Sequence, residues 1–104
     1  MTTKFPTKGT LESVVLAYDF SLALGTATIT GQTFTCEVES GAEDPVPADV
    51  LDGAPALDSG NAGRVLQRVA GGVDGTDYRI QCTVTTSAGD TLTLAAILPV
   101  RAKL

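Results

Sequence analysis

The feature that most constrains this chain is a pair of period-2 runs near its end. Tyr78, Ile80, Cys82 and Val84 alternate with Arg79, Gln81, Thr83 and Thr85, and Leu92, Leu94, Ala96, Leu98 and Val100 form a second apolar series. Ser87, Ala88, Gly89 and Asp90 lie between them. Successive side chains of a strand point to opposite faces, so each run predicts a half-buried strand. A short Gly-containing link between two such runs predicts an antiparallel hairpin. Pro99 falls off the inward series near the end of the chain, which suits an edge strand.

Upstream the same reasoning applies less sharply. Val14, Leu16, Tyr18 and Phe20 share one parity and predict a first strand over residues 11–20. Residues 26–39 predict a second strand region. There Ala27 and Ile29 hold one parity and Phe34, Cys36 and Val38 the other, so a bulge or turn is expected at Gly31-Gln32. Residues 64–70 fit a short strand or one and a half helical turns; the Gly71-Gly72 break and the neighbouring strands favour strand. Residues 40–63 contain Pro45, Pro47 and Pro55, which deny this stretch a central strand or a long helix. It reads as a long loop, with an edge strand or single turn near residues 48–52. Residues 1–10, with Pro6 and Gly9, read as an extended N-terminal arm. The division expected is therefore an arm over 1–10 and one domain over 11–104, with a long loop at about 40–63. Short strands, Gly/Pro turns and no convincing helix predict an all-β, immunoglobulin-like antiparallel sandwich of about seven short strands.

Five aromatic residues and no Trp leave Val, Leu and Ile to build the core. In immunoglobulin-type sandwiches a Tyr at the corner into the sixth strand bonds back to upstream backbone, and an inward residue follows two positions later. Tyr78 fits that corner, Ile80 the inward position, and Asp74 the opening of the turn. Cys36 and Cys82 fall on inward parities and are expected on strands that could face each other across the core. No apolar signal core precedes them at the N-terminus, so the chain is expected to be made in the cytoplasm with reduced, buried thiols, a disulfide between Cys36 and Cys82 being the alternative.

The missing residue types exclude much chemistry. The chain has no His, hence no Ser-His or Cys-His nucleophile pair and none of the commonest metal ligands. Two cysteines cannot close a four-ligand zinc site. No phosphate-cradling Gly-rich motif is present. Asp74, Asp77 and Asp90 fit no EF-hand spacing and read as turn residues rather than Ca²⁺ ligands. No catalytic, cofactor or metal site is expected. The formal charge is −5, which argues against binding nucleic acid through phosphates. Residues 1–50 hold seven acids and two bases, and residues 51–104 five of each. The densest acidic run, Glu37, Glu39, Glu43, Asp44, Asp49 and Asp52, reads as a solvated face or a docking surface for a basic partner. No apolar run approaches the ~18 residues of a membrane span.

Two stretches resemble a known family. Tyr18-Asp19-Phe20-Ser21-Leu22, and more extensively residues 71–90 (GGVDGTDYRIQCTVTTSAGD), are similar to small structural proteins of tailed phages described as fibre–tail adaptors. Residues 36–64 depart from the pattern and look like an insertion. The resemblance implies an immunoglobulin-like fold, a place in the virion after assembly in the bacterial cytoplasm, and a role exercised through contact with other virion proteins. Self-association through free strand edges stays open. No nucleic acid, membrane or small-molecule substrate is expected. The candidate interaction residues are Phe5, read as the only aromatic free of the core, with Glu43, Asp44, Asp49 and Asp52. They belong to three candidate surfaces: residues 2–10, the loop 43–58, and an exposed edge over 99–104. The alternative reading is a capsid-decorating or carbohydrate-binding module, with a secreted adhesin module behind it.

Overall fold

The computed structural model describes residues 3–103. Eight strand segments, one short helix and one 3₁₀ turn occur in the order β1 (Thr3–Lys4), β2 (Lys8–Gly9), β3 (Ser13–Asp19), α1 (Ser21–Leu24), β4 (Ile29–Gly41), the 3₁₀ turn (Pro47–Val50), β5 (Ala56–Asp58), β6 (Asn61–Ala70), β7 (Thr76–Thr86) and β8 (Thr91–Arg101). They form two sheets. One has the order β1-β8-β7-β4, with β2 also on β8, and the other the order β3-β6-β5. The chain is all-β in class, and its strands pack as a two-layer sandwich 44 × 23 × 23 Å in extent.

The β7–β8 hairpin follows from the alternation. Thr85 stands opposite Thr91, and the register then runs unbroken to Thr76 opposite Val100. The turn closes because Gly89 takes φ +86°, letting its N–H reach the Thr86 carbonyl at 3.0 Å. Ile80, Cys82, Val84, Leu98 and Val100 all point inward and meet Leu16, Tyr18, Val65 and Val69 from the other sheet. Tyr18 adds a polar link between layers, its hydroxyl donating to the Ile80 carbonyl at 2.8 Å. Because a buried hydroxyl without a partner costs roughly 1–3 kcal/mol, that bond also fixes how the two sheets sit.

The parity change near Gly31 is a β-bulge: the β4–β7 register shifts between Ile29 and Gly31, and again between Val38 and Ser40. Residues 64–70 are strand, and β6 is longer than its apolar pattern indicates. Its inward series includes Gln67, 1% exposed, whose amide donates to the carbonyls of Gly53 (3.1 Å) and Arg68 (2.8 Å).

Two expectations need correction. Residues 3–9 are extended but not free, because β1 and β2 pair in parallel with β8. The edge expected over 99–104 is therefore covered at Val100 and Arg101 by Lys8 and Gly9. Thr2 and Leu104, which belonged to those two surfaces, lie outside the described residues, as does Met1 of the arm. The stretch 40–63 carries the single turn expected near residues 48–52, as the 3₁₀ turn Pro47–Val50. Its ends belong to β4 and β6, and between them lie the 3₁₀ turn and β5. Finally, Cys36 and Cys82 do not face each other from opposite sheets. They sit on neighbouring strands of one sheet, with Cys36 opposite Ile80 and Cys82 opposite Phe34, and both thiols are free. The strand that holds Cys36 is the fourth, because the arm and β3 precede it.

Candidate interaction surface

One end of the sandwich, where β4 finishes and β7 begins, is organised by a single side chain. Tyr78 is fully buried. Its hydroxyl accepts the Val73 N–H and donates to Asp44 Oδ2, both at 2.8 Å. Burial raises its pKa, so it remains a protonated donor. The turn that lets the ring in needs Gly72, at φ +97°, where an added Cβ would press on Val100 and the Tyr78 ring. Asp44 in turn accepts the Val46 N–H at 3.0 Å through Oδ1. Thr76 Oγ1 donates to the Ala42 carbonyl, and Ala42 N–H to the Gly75 carbonyl.

The rest of the loop is strapped to β6. Val50, 1% exposed, inserts into the core. Leu51 bridges to Val69, and the Asp52 N–H donates to the Arg68 carbonyl at 2.9 Å. The loop is thus held by one apolar anchor and several hydrogen bonds, and its backbone is a defined platform rather than a free tether.

That platform displays negative charge. Glu43, Asp49 and Asp52 are exposed, as are Glu37 and Glu39 on β4. The ion pairs among the described residues join Arg64 to Asp19 and Asp58, Arg101 to Asp77, and Lys103 to Glu12, so none uses the acidic run. Carboxylates left without cations project a field over about 8 Å at physiological salt, enough to attract a basic partner surface.

The expected site residues fall in different places. Glu43, Asp49 and Asp52 share this surface, whereas Asp44 is half-buried beneath it as an anchor. Phe5 is not free. It is half-buried against Tyr18, ring centroids 5.6 Å apart and edge-on, and Tyr18 stacks in turn on Phe34 at 5.2 Å. Ile80 is a central core residue. Asp74 is exposed and accepts the Ala102 N–H at 2.8 Å, tying the corner to the end of the chain. Asp77 pairs with Arg101 at 2.8 Å, while Asp90 lies at the far end of β7. No metal-holding group of His, Cys, Asp or Glu occurs among the described residues. Burial pushes both the Cys36 and the Cys82 thiol up to about 12, which keeps them protonated and poorly nucleophilic.

Sequence reading missed two features. Lys8 is 2% exposed, its ammonium donating to the carbonyls of Gly71 at 2.6 Å and Gly9 at 2.7 Å, so it clasps β2 to the Tyr78 corner. Nothing local distinguishes it from a solvated lysine. At the other end of the sandwich Leu22 on α1 is 99% exposed, beside the half-exposed Leu94 and a hollow lined also by Phe20, Ala23 and Leu92. Nothing in the Ser21-Leu22-Ala23-Leu24 stretch marks a helix or tells the outward Leu22 from the half-buried Leu24.

A family model described as Podophage GP4 fiber-tail adaptor protein gp77 matches residues 8–99. No curated protein and no solved structure matches the chain.

Proposed function

Since the chain belongs to the podophage GP4 fiber-tail adaptor protein gp77 family of phage structural proteins, we propose that it joins two components of the virion by protein–protein contact alone, with no catalytic step. The observation that carries this reading is the chemical difference between its two ends. One end bears unpaired carboxylates on an ordered platform, with Leu11 and Val46 exposed there as well, and the other bears Leu22 and Leu94 without that acidic run. In a body 44 Å long, such ends suit two different partners rather than one. The strand order supports an immunoglobulin-like reading. With β3 to β8 taken as strands B to G, a B-E-D sheet faces a C-F-G sheet. Location in the assembled particle follows from the family.

The carbohydrate-binding alternative is weaker. Sugar sites stack on exposed aromatic rings, and all five aromatics are buried or half-buried.

The test is size-exclusion chromatography with light scattering of the full chain, mixed in turn with the purified tail and fibre proteins of its particle. Two separable complexes are expected. Glu43→Lys with Asp49→Lys should abolish one and Leu22→Asp the other. A chain that binds neither component, or that loses both complexes through the same variant, would refute a two-ended adaptor.

A further inference from the structure

The two edges of the larger sheet are built differently. The arm edge is cut into two-residue pieces, β1 and β2, around Pro6, and carries the exposed Lys4. Proline, lysine and short segments are the devices that stop an edge from recruiting other strands. The opposite edge is β4, thirteen residues with no Pro, Lys or Arg, and among the described residues nothing pairs with its outer side. Its register is regular from Gly31 to Val38, between the two bulges. Over that span, roughly 24 Å at strand rise, alternate N–H and C=O groups face outward unpaired.

Charge says what would fit there. Glu37 and Glu39 lie along this edge. Beside it, Val38, Glu43, Asp44 and Pro45 line a shallow hollow of about 340 Å³. A Lys or Arg entering that hollow lays its aliphatic stem on Val38 and Pro45 and brings its cation to the Glu43 carboxylate. Among the chain's own bases, Arg79 on β7 stands opposite Glu37. A second copy pairing β4 to β4 would bring carboxylates and no cation.

Resting on the adaptor reading above, we propose that β4 is the docking strand of the acidic end. It accepts an extended segment of a partner virion protein by strand addition, with a Lys or Arg of that segment seated between Val38 and Glu43. Main-chain hydrogen bonds supply affinity and the cation fixes the register.

The experiment uses the full chain with peptides tiled across the other structural proteins of its particle, read by amide hydrogen exchange and by titration. Bound peptides should be basic, and amides between Gly31 and Val38 that exchange freely alone should slow at least ten-fold. Glu37→Gln with Glu43→Gln, both at exposed positions, should keep the fold and weaken binding by about three- to ten-fold. The inference is overturned if no peptide binds, if protection falls only on the arm or on α1, or if the neutralised variant binds equally well. Should the chain bridge particle components while its β4 amides keep exchanging, the adaptor reading stands and this inference fails. Absence of the chain from purified particles would sink both.

Discussion

Removing one oxygen atom, in Tyr78→Phe, tests whether the acidic platform is held from below. The ring keeps its packing against Val100 and Gly72, so the change isolates the hydroxyl. Two bonds of 2.8 Å are lost. The Val73 N–H is left without a partner, worth about 1 kcal/mol. The bond to Asp44 is to a carboxylate and stronger in principle, but Asp44 is half-buried and water can replace the phenol, so about 1 kcal/mol is the share expected. The sum is about 2 kcal/mol. For a domain of this size that lowers Tm by roughly 8–16 °C. Urea unfolding of Tyr78→Phe, Asp44→Ala and the double variant should show coupling of about 1 kcal/mol. Hydrogen exchange should quicken at Val46 and Val73 before the β7 core. A Tyr78→Phe variant within 0.5 kcal/mol of the parent, or strict additivity with Asp44→Ala, would refute the claim that this corner anchors the loop.

The two thiols make stability fall with rising alkaline pH. Their folded pKa values of about 12 exceed the ordinary 9.0, so the unfolded chain releases protons first between pH 9 and 12, and each thiol contributes a decline of roughly 1.4 kcal/mol per unit there. Lys8, lowered by burial from 10.5, works in the opposite direction as pH rises towards that value, so the comparison is parent against Cys36→Ala/Cys82→Ala, whose unfolding curve should lose the thiol share of the slope. An unchanged slope would show the thiols are not buried in solution. Gly41 sits at φ +92°, and an added Cβ would run into the Gly75 carbonyl; Gly41→Ala should cost several kcal/mol, on the order of the larger backbone-strain penalties, measured by denaturant midpoint. Val50→Ala removes the apolar anchor of the loop and should cost about 2 kcal/mol, with faster exchange at the Asp52 N–H.

The hairpin was legible because its evidence is local. Side-chain parity along β7 and β8 needs no knowledge of what lies across the core, and the Gly89 turn chemistry sits between them. The bulge at Gly31 was legible for the same reason, as a change of parity within one strand. Residues 64–70 were ambiguous because the inward position between Val65 and Val69 is Gln67, a polar residue whose burial depends on carbonyls that include Gly53, fourteen residues upstream. The arm could be read as extended, but its parallel pairing joins residues more than ninety apart, Thr3 to Ala96. No period in the sequence encodes that.

The acidic run itself was plain in the sequence, while its organisation was not. A row of carboxylates looks the same whether solvated or anchored. What separates Asp44 from Glu43 is a hydrogen bond to Tyr78, thirty-four residues away. Lys8 and Phe5 are the same case: residue types that usually meet solvent, or could, are drawn inward by the Gly71 carbonyl and the Tyr18 ring. The sequence by itself determined the alternating strands, the turn positions, the charge and the absence of His, since each depends on residue type and near-neighbour spacing. Only the tertiary structure decided which edge is covered, which is left open and which carboxylates face outward. Those outcomes depend on contacts between distant segments, formed only once the two sheets have closed on a common core.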